Sequence, residues 1–245
     1  MKKTPFLLLL AIVLATACGQ KTKTEESNEA ISLHKNLPGD STHYGLACDG
    51  CTDSIIVFLP YTDNDPDTFD IIEAMKQQRI YGRPHIGDEL AVVLNPENKR
   101  EALMVINLNQ LHGQWCRMVM PTLRPTIGGQ PARQMPDSLR KKFMVPREYG
   151  LRMKTDHTAF SMGGMRRQTT TDDMSPVEYP TVKHYTEWHI MNGRLILKAD
   201  TIPGLTDQPE PDSDTADIVM LRPDTLVLRF GDEQVGFYRK QQTQE

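Results

Sequence analysis

After its first twenty residues the chain has no apolar run approaching the length of about 20 residues that a membrane-crossing helix needs. A mature transmembrane helix is therefore excluded. Basic charge is not in excess: 28 Lys and Arg stand against 32 Asp and Glu, for a formal net charge of −4. No global positive field exists to hold nucleic acid. The short catalytic signatures are missing too. There is no Gly-x-Ser-x-Gly elbow, no phosphate-cradling glycine loop, no His-Glu-x-x-His pair and no paired catalytic carboxylates, so nothing argues for an enzyme and a non-catalytic role is expected. Cysteine is scarce, with 4 in 245 residues. A single Cys-x-x-Cys cannot supply a four-thiolate zinc site, and Thr52 after it, in place of His, excludes haem attachment. No internal repeat of useful length is visible.

The chain does have enough residues for one large domain or two small ones. Hydrophobic residues make up 38% and mean hydropathy is −0.47, a soluble composition that can still build a core. It opens MKKTPFLLLLAIVLATACGQ. Lys2 and Lys3 form a positive start, Phe6 to Ala15 is an apolar run too short for a mature span, and small residues lead to Cys18. This arrangement resembles a bacterial lipoprotein signal, with Ala15 where the usual pattern has Leu; the competing reading is an ordinary secretory signal cut near Ala17. The resemblance implies removal of residues 1–17, lipidation of Cys18 through a diacylglyceryl thioether, and a fatty acyl group such as palmitate on its amino terminus. Several acyl chains anchor firmly where one does not. The expected address is the cell envelope, lipid-anchored at the outer membrane, where disulfides persist.

Residues 18–42 then read as lipidated Cys and flexible tether: the stretch is polar, with Gly, Pro and Ser and no apolar period. The rest is expected to be mainly β, in two units. A small β-rich unit, 43–110, has a buried strand at Ser54–Pro60, a short helix opened by Asp65 as N-cap and Pro66 with Phe69, Ile72 and Met75 on one face, and strands at Leu90–Leu94 and Leu103–Ile106. A second unit, 111–241, begins with Gln114–Met120. It continues in hairpins around Thr155-Asp156-His157, Asn192-Gly193, Arg222-Pro223-Asp224 and Gly231-Asp232-Glu233. About eight strands in hairpin series suit an up-and-down antiparallel barrel, closed so that no sheet edge is exposed. The polar segments 164–182 and 201–215 are expected as rim loops.

Gly113-Gln114-Trp115 opens this unit and Phe237-Tyr238-Arg239 closes it. The pattern resembles that of lipocalins, in which a Gly-x-Trp begins the first strand and a late Arg packs across the Trp. It implies a lipocalin-like barrel with Trp115 and Arg239 as its packing pair, joined by a cation–π contact. Residues 44–60, YGLACDGCTDSIIVFLP, are similar to the opening of NlpE-type lipoproteins, which run from Cys-x-x-Cys into a first strand. Leu46, Cys48, Cys51 and Ile55 match; Ala47 replaces a Pro. That resemblance implies a copper-linked or envelope-stress role.

Cys48 and Cys51 are accordingly a disulfide, a soft-metal pair for Cu(I), or a redox couple; no cofactor is otherwise expected. Cys116 alternates with apolar neighbours and reads as a lone buried thiol. In HYTEWH, strand alternation places His184, Thr186 and Trp188 on one face and Tyr185, Glu187 and His189 on the other, so the two histidines cannot share a metal without a bulge. The methionines of MGGM (162–165) read as core filler. The leading expectation is an anchored binding protein whose barrel holds a small apolar or amphipathic ligand. The alternatives are a copper or stress sensor using Cys48 and Cys51, and an interaction module for another envelope protein.

Overall fold

The computed structural model describes residues 37–63, 65–127, 130–131, 136–163, 175–201 and 212–241. All lie in one compact unit, Asn36–Glu245. Residues 1–17, Cys18, most of the expected tether, and Gly164 and Met165 of the MGGM run fall outside the described residues.

In chain order the first sheet comprises β1 (Thr42–Ala47), β2 (Ile55–Pro60), β3 (Asp67–Asp70), β4 (Ile80–Tyr81), β5 (Glu89–Leu94) and β6 (Ala102–Asn107), with helix α1 (Ile72–Lys76) between β3 and β4. Its strand order is β3-β2-β1-β5-β6-β4, antiparallel except for β4 beside β6. Helix α2 (Leu108–Leu111) leads into β7 (Gly113–Val119). Then come β8 (Thr122–Leu123), β9 (Thr126–Ile127), β10 (Gln130–Pro131), helix α3 (Asp137–Phe143), β11 (Arg147–Met153), β12 (Ala159–Met162), β13 (Val177–Glu178), β14 (Tyr185–Met191), β15 (Arg194–Ala199), β16 (Ser213–Leu221), β17 (Thr225–Phe230) and β18 (Glu233–Arg239). The strand pairs β8–β13 and β9–β10 stand apart as small ladders.

The eight long C-terminal strands form one antiparallel sheet, β12-β11-β7-β18-β17-β16-β15-β14. That is the up-and-down order of a lipocalin-like barrel. The last strand pairs with the first, Tyr238 opposite Cys116 and Arg239 opposite Trp115. The remaining seam, between β12 and β14, carries one bridge, Thr158 to Glu187. Side chains and stray backbone groups stitch it: Trp188 N donates to His157 O (2.8 Å), and Trp188 Nε1 to Lys154 O (2.8 Å). Ser161 Oγ, in turn, donates to Lys183 O (2.7 Å) and accepts from Tyr185 N (3.1 Å). The barrel is thus nearly closed.

Three local expectations change. Asp65 and Pro66 do not open a helix, because the segment after them joins β2 as an edge strand. Ile56 stands opposite Phe69, and Phe69 is buried with its ring 6.0 Å from that of Phe58. Thr68 and Phe69 favour a pleated, half-buried surface over a helix. The helix shrinks to α1, where the Asp70 carboxylate accepts from Ile72 N (2.8 Å). Next, Thr42, expected as the end of the tether, opens β1, a strand of THYGLA that lies between β2 and β5. Gly45 is required there, since a Cβ would sit 2.1 Å from Leu59 O. Finally, Ser213–Thr215 belong to β16, and β13 falls within the other expected rim loop.

Alternation assigns the faces. Leu90 and Val92 of β5 join a core with Ile56, Phe58, Phe69 and Ile71. Ala91 between them joins the barrel core with Trp115, Trp188, Leu195 and Leu226. A register shift between Val93 and Leu94 lets Ala102 and Val105 face the first core together. The β14–β15 turn also docks on the start of β1. Asn192 Oδ1 accepts from Ser41 N (2.9 Å) and Oγ (2.7 Å), and Tyr44 OH donates to Ile190 O (2.7 Å). Asn192 and Gly193 both have positive φ, as a two-residue hairpin turn demands. Gly193 is additionally pressed on Met104, whose Sδ would lie 2.4 Å from an added Cβ.

Candidate functional site

The barrel is sealed at one end. Trp115 points inward from β7 and is fully buried; its Nε1 donates to Leu111 O (2.8 Å). Leu108 and Leu111 of α2 are buried in the same cluster. Arg239 covers this floor. Its guanidinium lies 4.1 Å from the centre of the Trp115 ring. Nη1 donates to His112 O (2.7 Å), Nη2 to Gln110 O and Nε to Pro223 O. The structure therefore brings Trp115 and Arg239 together and ties the last strand to the plug. Gly113 completes the arrangement: its φ is +129°, and a Cβ there would be 2.4 Å from Arg239 Nη1. The glycine of Gly-x-Trp makes room for the arginine.

At the other end a cavity of about 350 Å³ opens. Its wall draws on β7, β11, β14, β15, β16, β17 and β18, every barrel strand but β12. Leu151, Leu197, Phe230, Val235 and Phe237 supply apolar surface, joined by Val182 from the segment before β14. Polar side chains share the lining, four of them charged: Arg117, Lys183, Asp214 and Glu233. The Asp214 carboxylate accepts from Lys183 Nζ (2.6 Å) and Tyr185 OH (2.5 Å). Burial first, then that bond to Asp214, pushes the Tyr185 phenol far above its ordinary pKa, so it stays a neutral donor. The same carboxylate raises the Lys183 ammonium. Tyr149 OH donates to Pro180 O (2.7 Å). Arg117 projects from β7 on the Trp115 face, its guanidinium 5.9 Å from the centre of the Phe237 ring. The lining thus joins an apolar wall to placed polar and charged groups, and the volume lies near the lower end of the ~300–1,000 Å³ usual for small-molecule pockets.

Tyr185 enters the cavity because β14 is irregular. A register shift between Tyr185 and Glu187 turns Tyr185 inward on the same side as Trp188, whereas plain alternation would put them on opposite faces. His189 stays outside, its ring stacked on His157 at 5.3 Å and its Nε2 3.4 Å from Glu187 Oε2.

Cys48 and Cys51 lie in the turn between β1 and β2, closed by Cys48 N donating to Val57 O (2.8 Å). They are not joined as a disulfide; both are free thiols. The Cys51 sulfur is engaged with backbone, accepting from Val57 N (3.3 Å) and lying 3.3 Å from Cys48 O. Among the described residues, no group of three or more His, Cys, Asp or Glu side chains is placed to hold a metal ion. Cys116 is buried, and burial raises its thiol pKa.

Arg117 escaped the sequence reading, although a signal was there: in QWCRMVM it shares a face with Trp115 two residues earlier.

Neither a family model nor a curated protein matches the chain. Among solved structures, a lipocalin-like protein from Bacteroides thetaiotaomicron is 19% identical, aligned over 53% of this chain and 95% of that one, with a TM-score of 0.29. At that score the likeness carries no argument. The barrel stands on this chain's own strand order and closure.

Proposed function

We propose that this protein is a non-catalytic binding protein that holds a small apolar or amphipathic ligand in its barrel and is moored to the cell envelope through an acylated Cys18. The observation that carries the reading is the one-ended cavity: a sealed floor at Trp115 and Arg239, and about 350 Å³ of largely apolar space opposite. Enclosed apolar surface in a barrel mouth is a usual place for such ligands. The mooring rests on the sequence around Cys18 alone.

The purified full chain should bind a neutral naphthylamine dye saturably, with a rise in fluorescence. Val182→Trp, a bulky change outside the sheet, should abolish the rise while leaving the circular-dichroism spectrum intact. A dye signal indifferent to Val182→Trp would refute the site. Mass spectrometry of the mature amino terminus should find Cys18 carrying fatty acyl mass; an unmodified Cys18 would remove the mooring.

A further inference from the structure

Four charged side chains line the cavity, Arg117, Lys183, Asp214 and Glu233, and they are not all paired. Asp214 is matched by Lys183 and Tyr185, and the Tyr149 hydroxyl is spent on Pro180 O. Arg117 is left. It is half-buried, faces the cavity between Tyr149 and Phe237, and forms no ion pair with any described carboxylate. Glu233 also borders the cavity, but it lies exposed beside the β17–β18 turn and is not paired with Arg117. An arginine aimed into a barrel gives up hydration for its contact with one aromatic ring. A planar guanidinium with several donors in a fork is suited to an oxygen anion such as a carboxylate.

We infer that Arg117 is the anchor for an anionic head group, so that the ligand class is a carboxylate-headed amphiphile: its head on Arg117, its tail against Leu151, Leu197, Phe230 and Val235. This inference rests on the binding reading above and narrows it. The size is bounded by the space. At about 30 Å³ for a water-sized group, a cavity of about 350 Å³ takes roughly a dozen heavy atoms, the length of a medium-chain acid. The apolar wall selects the tail, and the cation without a carboxylate partner selects the head.

Calorimetric titration of the purified full chain with decanoate, 1-decanol and decylammonium tests this. These ligands share a tail and differ in head charge. Decanoate should bind roughly tenfold or more tightly than decanol, and decylammonium more weakly than either. In Arg117→Met the preference for decanoate over decanol should collapse. Arg117→Lys, which keeps the charge but not the fork, should retain part of the preference. Equal binding of decanoate and decanol by the unaltered protein would overturn the anchor and leave the apolar cavity standing; so would a preference that survives Arg117→Met. Binding of none of the three would overturn the cavity reading and the anchor together. The comparison of heads on the unaltered protein needs no variant, so a poorly folding substitution does not rescue the inference.

Discussion

Arg239→Met tests the floor of the barrel. The substitution keeps an apolar stem over Trp115 and removes the guanidinium. Three bonds to backbone carbonyls go with it, at Gln110, His112 and Pro223. Hydrogen bonds to a charged group contribute roughly 1.5–3 kcal/mol each, and a cation–π contact roughly 0.5–2 kcal/mol. The full sum is not expected. The bond to Pro223 is exposed, so water can replace it there, and the methionine recovers some packing on the indole. A loss of about 3–4 kcal/mol remains, mostly from the part-buried carbonyls of Gln110 and His112. For a folded unit of this size that is a fall in Tm of roughly 6–16 °C. Urea unfolding followed by tryptophan fluorescence reads it directly, because Trp115 and Trp188 are both fully buried. Arg229→Met is the control: Arg229 pairs with Asp217 on the exposed surface, and its loss should cost no more than about 1 kcal/mol. If the two variants unfold at the same midpoint, Arg239 is not what ties the last strand to the plug.

Asp217 bridges Arg194 (2.7 Å) and Arg229 (2.9 Å), and the bond to Arg229 foremost holds its carboxyl below the usual range. A depressed acid stabilises above its unfolded pKa, near 3.9, and loses that contribution as pH falls through the folded value; Asp217→Asn should therefore lower the urea midpoint slightly at pH 7, and the difference from the parent should shrink as the pH is taken down through the acid range. Gly193→Ala places a methyl against Met104 at a φ of +77° and should destabilise by roughly 1–3 kcal/mol; an unchanged melting curve would show that the hairpin turn is not pressed on the first sheet. In the reduced native protein, iodoacetamide should label the half-buried Cys48 and Cys51 well before the buried Cys116. Equal labelling of all three by mass spectrometry would contradict the packing of β7.

Much of the fold was legible because strand periodicity is local. The runs at 114–120, 148–154, 184–190 and 225–230 carry apolar side chains on one face, and Asn192-Gly193 can adopt the positive φ values of a tight turn. The Gly-x-Trp and the late Arg were visible as residues in line. What stayed hidden depended on partners far away in sequence. THYGLA is an unremarkable hexapeptide until β2 and β5 flank it, and DTFD turns from helix to strand only because β2 offers an open edge. The inward turn of Tyr185 came from a single slipped register beside Glu187, which no alternation rule supplies.

The sequence by itself determined the class of the fold: strands in series, and a Trp115 that must be buried. Which side chains would surround a common space was decided by closure. Arg117, Lys183, Asp214 and Phe237 are spread over 121 positions in the chain, from 117 to 237, and meet only when β18 pairs with β7. Periodicity specifies the face a residue shares with its near neighbours. Only the curled sheet specifies what lies across from it, and so leaves one guanidinium looking into an apolar hollow.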